Sequence, residues 1–158
     1  MKPNIGISEK NLKSSAALLT EVLATEMVLY IKTRKAHWNV TGESFMELHK
    51  LFESQYSLLE EKIDALAERI GKMGEKTTGT MNEFIKHSKI KEQPGKYPST
   101  AETINELLTG HETVAVILRK GIDTAAHKNK DAGTADFFTG LMLQHETAAW
   151  VLRRYLSN

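Results

Sequence analysis

The chain has 158 residues and a mass of 17.7 kDa, enough for one domain and too few for two of ordinary size. Hydrophobic residues make up 41% and charged residues 26%, a globular balance that excludes a disordered or fibrous chain. The 21 Lys and Arg against 20 Asp and Glu leave a net charge of +1, so no single-sign field points to nucleic acid or a membrane surface as partner.

Cysteine is absent, which removes disulfides, thiolate metal sites and cysteine nucleophiles and leaves His and carboxylate as metal ligands. The N-terminal run MKPNIGISEKNLKSS has no apolar signal core, and no stretch reads as the roughly 20 apolar residues of a membrane span. The expectation is a soluble cytoplasmic protein with a single domain over residues 1–158, of which 1–7 form a short N-terminal extension.

Prolines occur only at positions 3, 94 and 98, and apolar residues recur at helical spacing, so the fold class expected is all-α. Over residues 8–36, Leu12, Ala16, Leu19, Leu23, Met27 and Tyr30 follow three- and four-residue steps, with Leu18, Val22 and Leu29 widening the stripe. Such a helix buries more than one face. After Asn39, Val40, Thr41 and Gly42, Ser44 and Glu47 have the spacing of a capping box for a second helix, antiparallel to the first across a short turn. That helix carries Phe45, Leu48, Phe52, Tyr56, Leu59, Ile63, Leu66 and Ile70.

The connection over residues 71–98 is long, as the crossover of an up-down-down-up four-helix bundle requires. Within it, residues 82–88 read as a short helix packed by Phe84 and Ile85. A third helix opens with the Ser99 and Glu102 capping pair and runs to about residue 127 along Ile104, Leu108, Val114, Ala115, Leu118 and Ile122. A fourth runs from about residue 131 through Phe138, Leu141, Ala148 and Leu152 to residue 155.

In a cysteine-free bundle the chemistry to look for is a carboxylate and histidine metal site. The in-bundle di-iron arrangement uses Glu-x-x-His pairs, and none occurs here. What remains is His37 and His49 on either side of the first turn, with Asp64 and Glu68 one turn apart on the second helix. Asp64 and Glu68 share a face roughly 140° from the apolar stripe of their own helix, and His49 and Asp64 are separated by roughly 22 Å along it. If the four act together, two chains must supply them, with second helices antiparallel across a two-fold axis. On spacing alone the carboxylates also read as solvated surface, and the two histidines as capping or surface residues. His111 and His145 fall on apolar stripes with Glu26 nearby, which reads as a hydrogen-bonded buried cluster in preference to a metal site.

The run Lys35-Ala36-His37-Trp38-Asn39-Val40-Thr41-Gly42, continued by Phe45, Leu48, His49, Phe52, Glu53 and Tyr56 and closed by Asp64, Ala67, Glu68, Arg69 and Ile70, resembles the Dps family, the DNA-binding proteins from starved cells or mini-ferritins. The resemblance extends through the segment 131–136 and Trp150 and covers about residues 7–156. It implies a ferritin-like four-helix bundle with a short helix in the crossover between helices two and three, assembled as a hollow homododecamer. It further implies a ferroxidase that oxidises Fe²⁺, preferably with hydrogen peroxide, at sites between subunits and stores the ferric mineral inside, protecting against oxidative stress.

Carried over, His37 and His49 come from one chain and Asp64 and Glu68 from its partner, with up to two irons per site. Glu53 is an additional outer ligand or water holder, Lys50 a charge that weakens the second iron, and Trp38 a sacrificial or quenching neighbour. Asp131 and Asp136 match the stretch that lines the family's three-fold pores, where carboxylate rings attract cations. His127, Lys128 and Lys130 depart from an acidic funnel, and Asp131 equally reads as a helix cap. Family members that hold DNA commonly use a lysine-rich tail. Residues 1–13 carry only Lys2, Lys10 and Lys13 with Glu9, so DNA binding is expected to be weak or absent, with nucleoid association left open. The alternatives are a nonenzymatic DNA-compacting protein of the same fold and a monomeric bundle holding metal through Glu26, His111 and His145.

Overall fold

The computed structural model describes residues 2–156. Helix α1 spans Glu9–Asn39, α2 Phe45–Lys72, the short α3 Met81–His87, α4 Thr100–Asp123 and α5 Ala132–Leu156, and a π turn at Thr124–Lys128 follows α4 directly. No strand occurs among the described residues. α1 packs chiefly on α2 and α4 on α5, with α3 and α4 closing against α1. This is the expected bundle, with α3 as the short helix of the crossover.

The Ser8 side chain caps α1 by accepting from the Asn11 amide. Leu12, Ala16, Leu19, Leu23 and Leu29 then turn inward, joined by Val22, Ala24 and Val28, so α1 is buried on several sides. By length and composition alone an 18-residue window of α1 is apolar enough to cross a membrane, a test that the buried core helix of a bundle also passes. The composition follows from the packing, since 56% of that window lies buried inside the bundle. Phe52, Leu66 and Ile70 of α2 meet it, and Leu107, Leu118, Phe138 and Leu152 complete the core. Side chains of this kind each contribute about 1.5–3 kcal/mol on burial.

Three local features differ from the expectations. Ser44 stands at the N-cap of α2 but makes no side-chain cap bond. Its capping partner Glu47 instead accepts from the Tyr155 hydroxyl near the end of α5, a bond that pushes the Tyr155 phenol up to about 12. The short helix begins one residue earlier than expected, because Thr80 and Glu83 form a reciprocal capping box. Regular α-helix stops at Asp123, and the chain reaches Lys128 as a π turn. Behind that turn the Asn129 side chain, buried, donates to Ser15 of α1 at 3.2 Å, and Lys130 adopts the left-handed conformation at φ 56°. The box at Ser99 and Glu102 forms as expected.

Candidate metal centre

His37 lies in the last turn of α1 and His49 in the first turns of α2, brought together by the five-residue turn between them. Gly42 allows that turn, since its φ of 104° is strained for any residue with a Cβ. His37 Nδ1 lies 2.8 Å from the His49 carbonyl oxygen, and His49 Nδ1 lies 2.9 Å from the His37 carbonyl oxygen. A carbonyl only accepts, so each Nδ1 carries a proton and donates it, which leaves Nε2 as the nitrogen that can offer a lone pair to a metal. The rings stack with centroids 3.7 Å apart and planes at 19°. Two imidazoles are thus fixed in tautomer and orientation by reciprocal bonds, as is usual for metal-ligating histidines.

Asp64 and Glu68 are both exposed on α2. Glu68 accepts from Lys72 at 3.4 Å, an exposed pair of the kind that contributes at most about 1 kcal/mol. Both carboxylates therefore project from the bundle. The 15 residues from His49 to Asp64 correspond to about 22 Å of helix, and among the described residues no three His, Asp or Glu side chains of one chain form a metal cage. The structure brings His37 and His49 together and holds Asp64 and Glu68 about half the length of α2 away. Glu53 and Lys50 are exposed on α2. Trp38, 63% exposed, has the Arg34 guanidinium 5.5 Å from its ring centre. Tyr56 meets the His37 ring edge-on at 5.2 Å, a contact across two helices that α2 periodicity alone does not show.

Asp131 takes the helix-cap position that its sequence context also offered. It is only 2% exposed and does not line an open surface. Its carboxylate caps α5, accepting from the Thr134 amide at 2.9 Å and the Thr134 hydroxyl at 2.5 Å, and it pairs with Arg69 of α2 at 3.3 Å. Burial by itself would raise this carboxyl, but the bonds from Thr134 and Ser15 and the Arg69 charge hold it below its ordinary value. Gly133 leaves room for the arrangement, since a Cβ there would stand 2.8 Å from Arg69 Nη2. Asp131→Asn is expected to cost about 1–3 kcal/mol of stability, read as a lower denaturation midpoint. The exposed Asp136→Asn should leave that midpoint where it is, and equal midpoints for the two variants would contradict the assignment.

Glu26, His145 and His111 form the buried cluster expected of them. His145 Nε2 lies 3.1 Å from Glu26 Oε1, and the Nδ1 atoms of the two histidines are 2.9 Å apart. Glu26 Oε2 and His111 Nε2 have no partner among the described residues. Burial, and then the charge of His145, push the His111 imidazole down to about 3. The three side chains run in a line and do not converge on one point. A cavity of about 500 Å³ between the C-terminal half of α1, the segment 92–98 and the first turns of α4, lined by Lys35, Tyr97 and Leu107 among others, contains none of the candidate ligands.

Residues 16–158 match the ferritin-like domain family. The chain is 35% identical over 146 residues to DNA protection during starvation protein 2 of Bacillus anthracis, covering 92% of this chain and 98% of that one. Its fold is similar to the Dps protein from Vibrio cholerae O1, described as a member of a broad superfamily of ferritin-like diiron-carboxylate proteins, with TM-score 0.92, 29% identity and coverage of 99% and 97% of the two chains. It is similar also to a Dps protein from Bacillus brevis, with TM-score 0.88, 30% identity and coverage of 94% and 98%.

Proposed function

Because this chain belongs to the Dps family of ferritin-like proteins, we propose that it oxidises Fe²⁺ with hydrogen peroxide at sites shared between two chains and stores the ferric product in a hollow dodecameric shell. The observation that carries this reading is the division of the ligands. One end of the α1–α2 hairpin presents two imidazoles with Nε2 lone pairs, and the exposed face of α2 presents two carboxylates about 22 Å away. Neither half is a cage, and a two-fold axis that sets α2 antiparallel to its copy joins one half of each chain. Imidazole and carboxylate suit iron, and Glu68 has two oxygens with which to bridge a pair of ions.

The net reaction is 2 Fe²⁺ + H₂O₂ + 2 H⁺ → 2 Fe³⁺ + 2 H₂O. Each iron gives one electron and both O–O oxygens leave as water, so no hydroxyl radical is released. Glu53 holds an outer water, Lys50 opposes the second iron, and Trp38 quenches radicals that escape. With Asp131 occupied as a cap, the cation-attracting role at the pore falls to Asp136 of α5. The protein acts in the cytoplasm and neither spans nor coats a membrane.

The test is anaerobic addition of two Fe²⁺ per chain followed by peroxide. One peroxide should be consumed for every two Fe²⁺, with ferric absorbance held in a particle of shell size and few hydroxyl-radical spin adducts. Ferric yield no greater than in buffer defeats the reading. The same preparation should leave plasmid DNA unshifted at about 150 mM salt, and retention of DNA without iron oxidation would favour the DNA-compacting alternative.

A further inference from the structure

The cavity of about 500 Å³ beside the C-terminal half of α1 has a shape set by sequence. Ile31, Lys32, Lys35 and Ala36 fall on one face of α1, and Thr103, Glu106 and Leu107 on one face of α4, at the three- and four-residue steps that place side chains together. Ala36, Val40 and Leu107 are buried and give it an apolar floor. The segment 92–98 closes it over. Pro94 and Pro98 fix their own φ, Gly95 takes φ 74°, and the Lys96 amide donates to the Gln93 carbonyl at 3.3 Å, so this covering segment is a preset turn. At one end the Thr100 hydroxyl donates to the Thr41 carbonyl at 3.1 Å and ties the start of α4 to the turn after α1.

The charges around this floor are not evenly matched. Three lysines, at 32, 35 and 96, line the cavity with two glutamates, at 92 and 106, an excess of one positive charge. Lys32 pairs with Glu106 at 3.1 Å. Lys35 Nζ instead donates to the Lys96 backbone carbonyl and lies 4.6 Å from the centre of the Tyr97 ring, two partners without net charge. Lys35 opens the run that continues into His37, yet oxidation of iron gives it no part. We propose that the cavity binds a small planar aromatic carboxylate, with the acid group on the Lys35 ammonium and the rings between Tyr97 and the apolar floor.

Size, flatness and charge each narrow the ligand. Cavities of roughly 300–1,000 Å³ hold small organic molecules, so a fused pair of rings with one acid group fits. The Tyr97 ring and the pyrrolidine rings of Pro94 and Pro98 are rigid surfaces, which favour a rigid body that loses little conformational freedom on binding. A phosphate brings more than one negative charge, and Glu92 and Glu106 on the same lining oppose the second. A carboxylate brings one and accepts a charge-assisted hydrogen bond from lysine. The Asn39 amide and the Thr103 hydroxyl already donate to the Lys35 and Pro98 carbonyls, so recognition of the acid group falls to lysine. A neutral ring system of the same shape leaves the half-buried Lys35 ammonium with only its uncharged partners.

The experiment is calorimetric titration of the assembled protein with naphthoate, and with naphthalenemethanol as its uncharged analogue. One naphthoate per chain is expected, bound at least about tenfold more tightly than the alcohol and less tightly as salt is raised. Lys35→Gln should weaken naphthoate at least about tenfold and leave the alcohol unchanged. Tyr97 is 72% exposed, so Tyr97→Ala spares the core, and it should weaken both compounds about fivefold. Lys10→Gln makes the same charge change on an exposed position at the start of α1 and should alter neither. Shell size and melting temperature establish that each variant is assembled. No binding to the assembled wild type overturns the proposal, as does equal affinity for acid and alcohol or full naphthoate affinity in Lys35→Gln. The titration contains no iron, so its outcome is separate from that of the iron-oxidising reading.

Discussion

Two variants that each oxidise iron slowly, His49→Ala and the double variant Asp64→Ala with Glu68→Ala, are expected to recover about a quarter of the active sites when unfolded together in equal amounts and reassembled. Each parent shell lacks part of every ligand set. In a mixed two-fold pair one site carries both defects, while the other joins an intact His49 to intact Asp64 and Glu68. Half of random pairs are mixed and half of their sites are whole. His49 also bonds the His37 carbonyl through its ring, so the His49→Ala parent must first be shown to assemble. A ligand set confined to one chain predicts no recovery. If mixed shells containing both variants oxidise no faster than either parent, the shared site is wrong.

The second large effect is expected from the buried line Glu26, His145 and His111. His145→Leu removes the hydrogen bond to one Glu26 oxygen, and the other has no partner among the described residues. Breaking a buried pair from one side typically costs about 3–5 kcal/mol, whereas replacing all members by apolar groups is often nearly neutral. Glu26→Leu, His111→Leu and His145→Leu combined should therefore melt higher than His145→Leu alone. Iron oxidation per assembled shell should be unchanged in both. Its loss in a properly assembled His145→Leu shell would favour a metal site within the bundle.

The pH dependence of this line has a definite sign. His111 is held at about 3 when folded and returns to about 6.5 when unfolded. Below pH 6.5 the unfolded chain binds the extra proton, so stability is lost as pH falls from 6.5 towards 3, by at most about 1.4 kcal/mol per pH unit. Between pH 7 and pH 5 the wild type should lose about 2 kcal/mol relative to His111→Leu. Parallel melting curves over that range would show that His111 is not the group responsible.

What was legible in the sequence depended on how far away the deciding partner lay. The helices follow from apolar periodicity, and the Ser99 and Glu102 box from a local pattern that formed as written. The identical pattern at Ser44 and Glu47 did not form, because Glu47 bonds Tyr155, 108 residues further on. Asp131 reads from its local pattern as cap or pore residue, because Arg69, which pairs with its carboxylate, lies 62 residues before it. Beyond the π turn Asn129 bonds Ser15, 114 residues away, a contact that no local pattern shows. For the candidate centre, the outward face of Asp64 and Glu68 followed from helical angle alone. The reciprocal clasp of His37 and His49 did not, because ring orientation depends on backbone carbonyls that a residue pattern leaves undefined.

If the centre is shared between chains as proposed, the clasp between His37 and His49 also sets an order of events. Backbone carbonyls orient the two imidazoles, so this half of the centre is finished once a single chain has folded, with no ion needed to template it. The conformational entropy that a metal would otherwise have to overcome is lost earlier, during synthesis. On the two-chain reading proposed above, docking of a second chain supplies the carboxylates, and only afterwards does a place for iron exist. A newly made subunit is therefore a poor scavenger, and iron that arrives before assembly is left to compete for other ligands. Cells that make this protein in iron-starved medium should accumulate complete, empty shells, ready when iron and peroxide appear together.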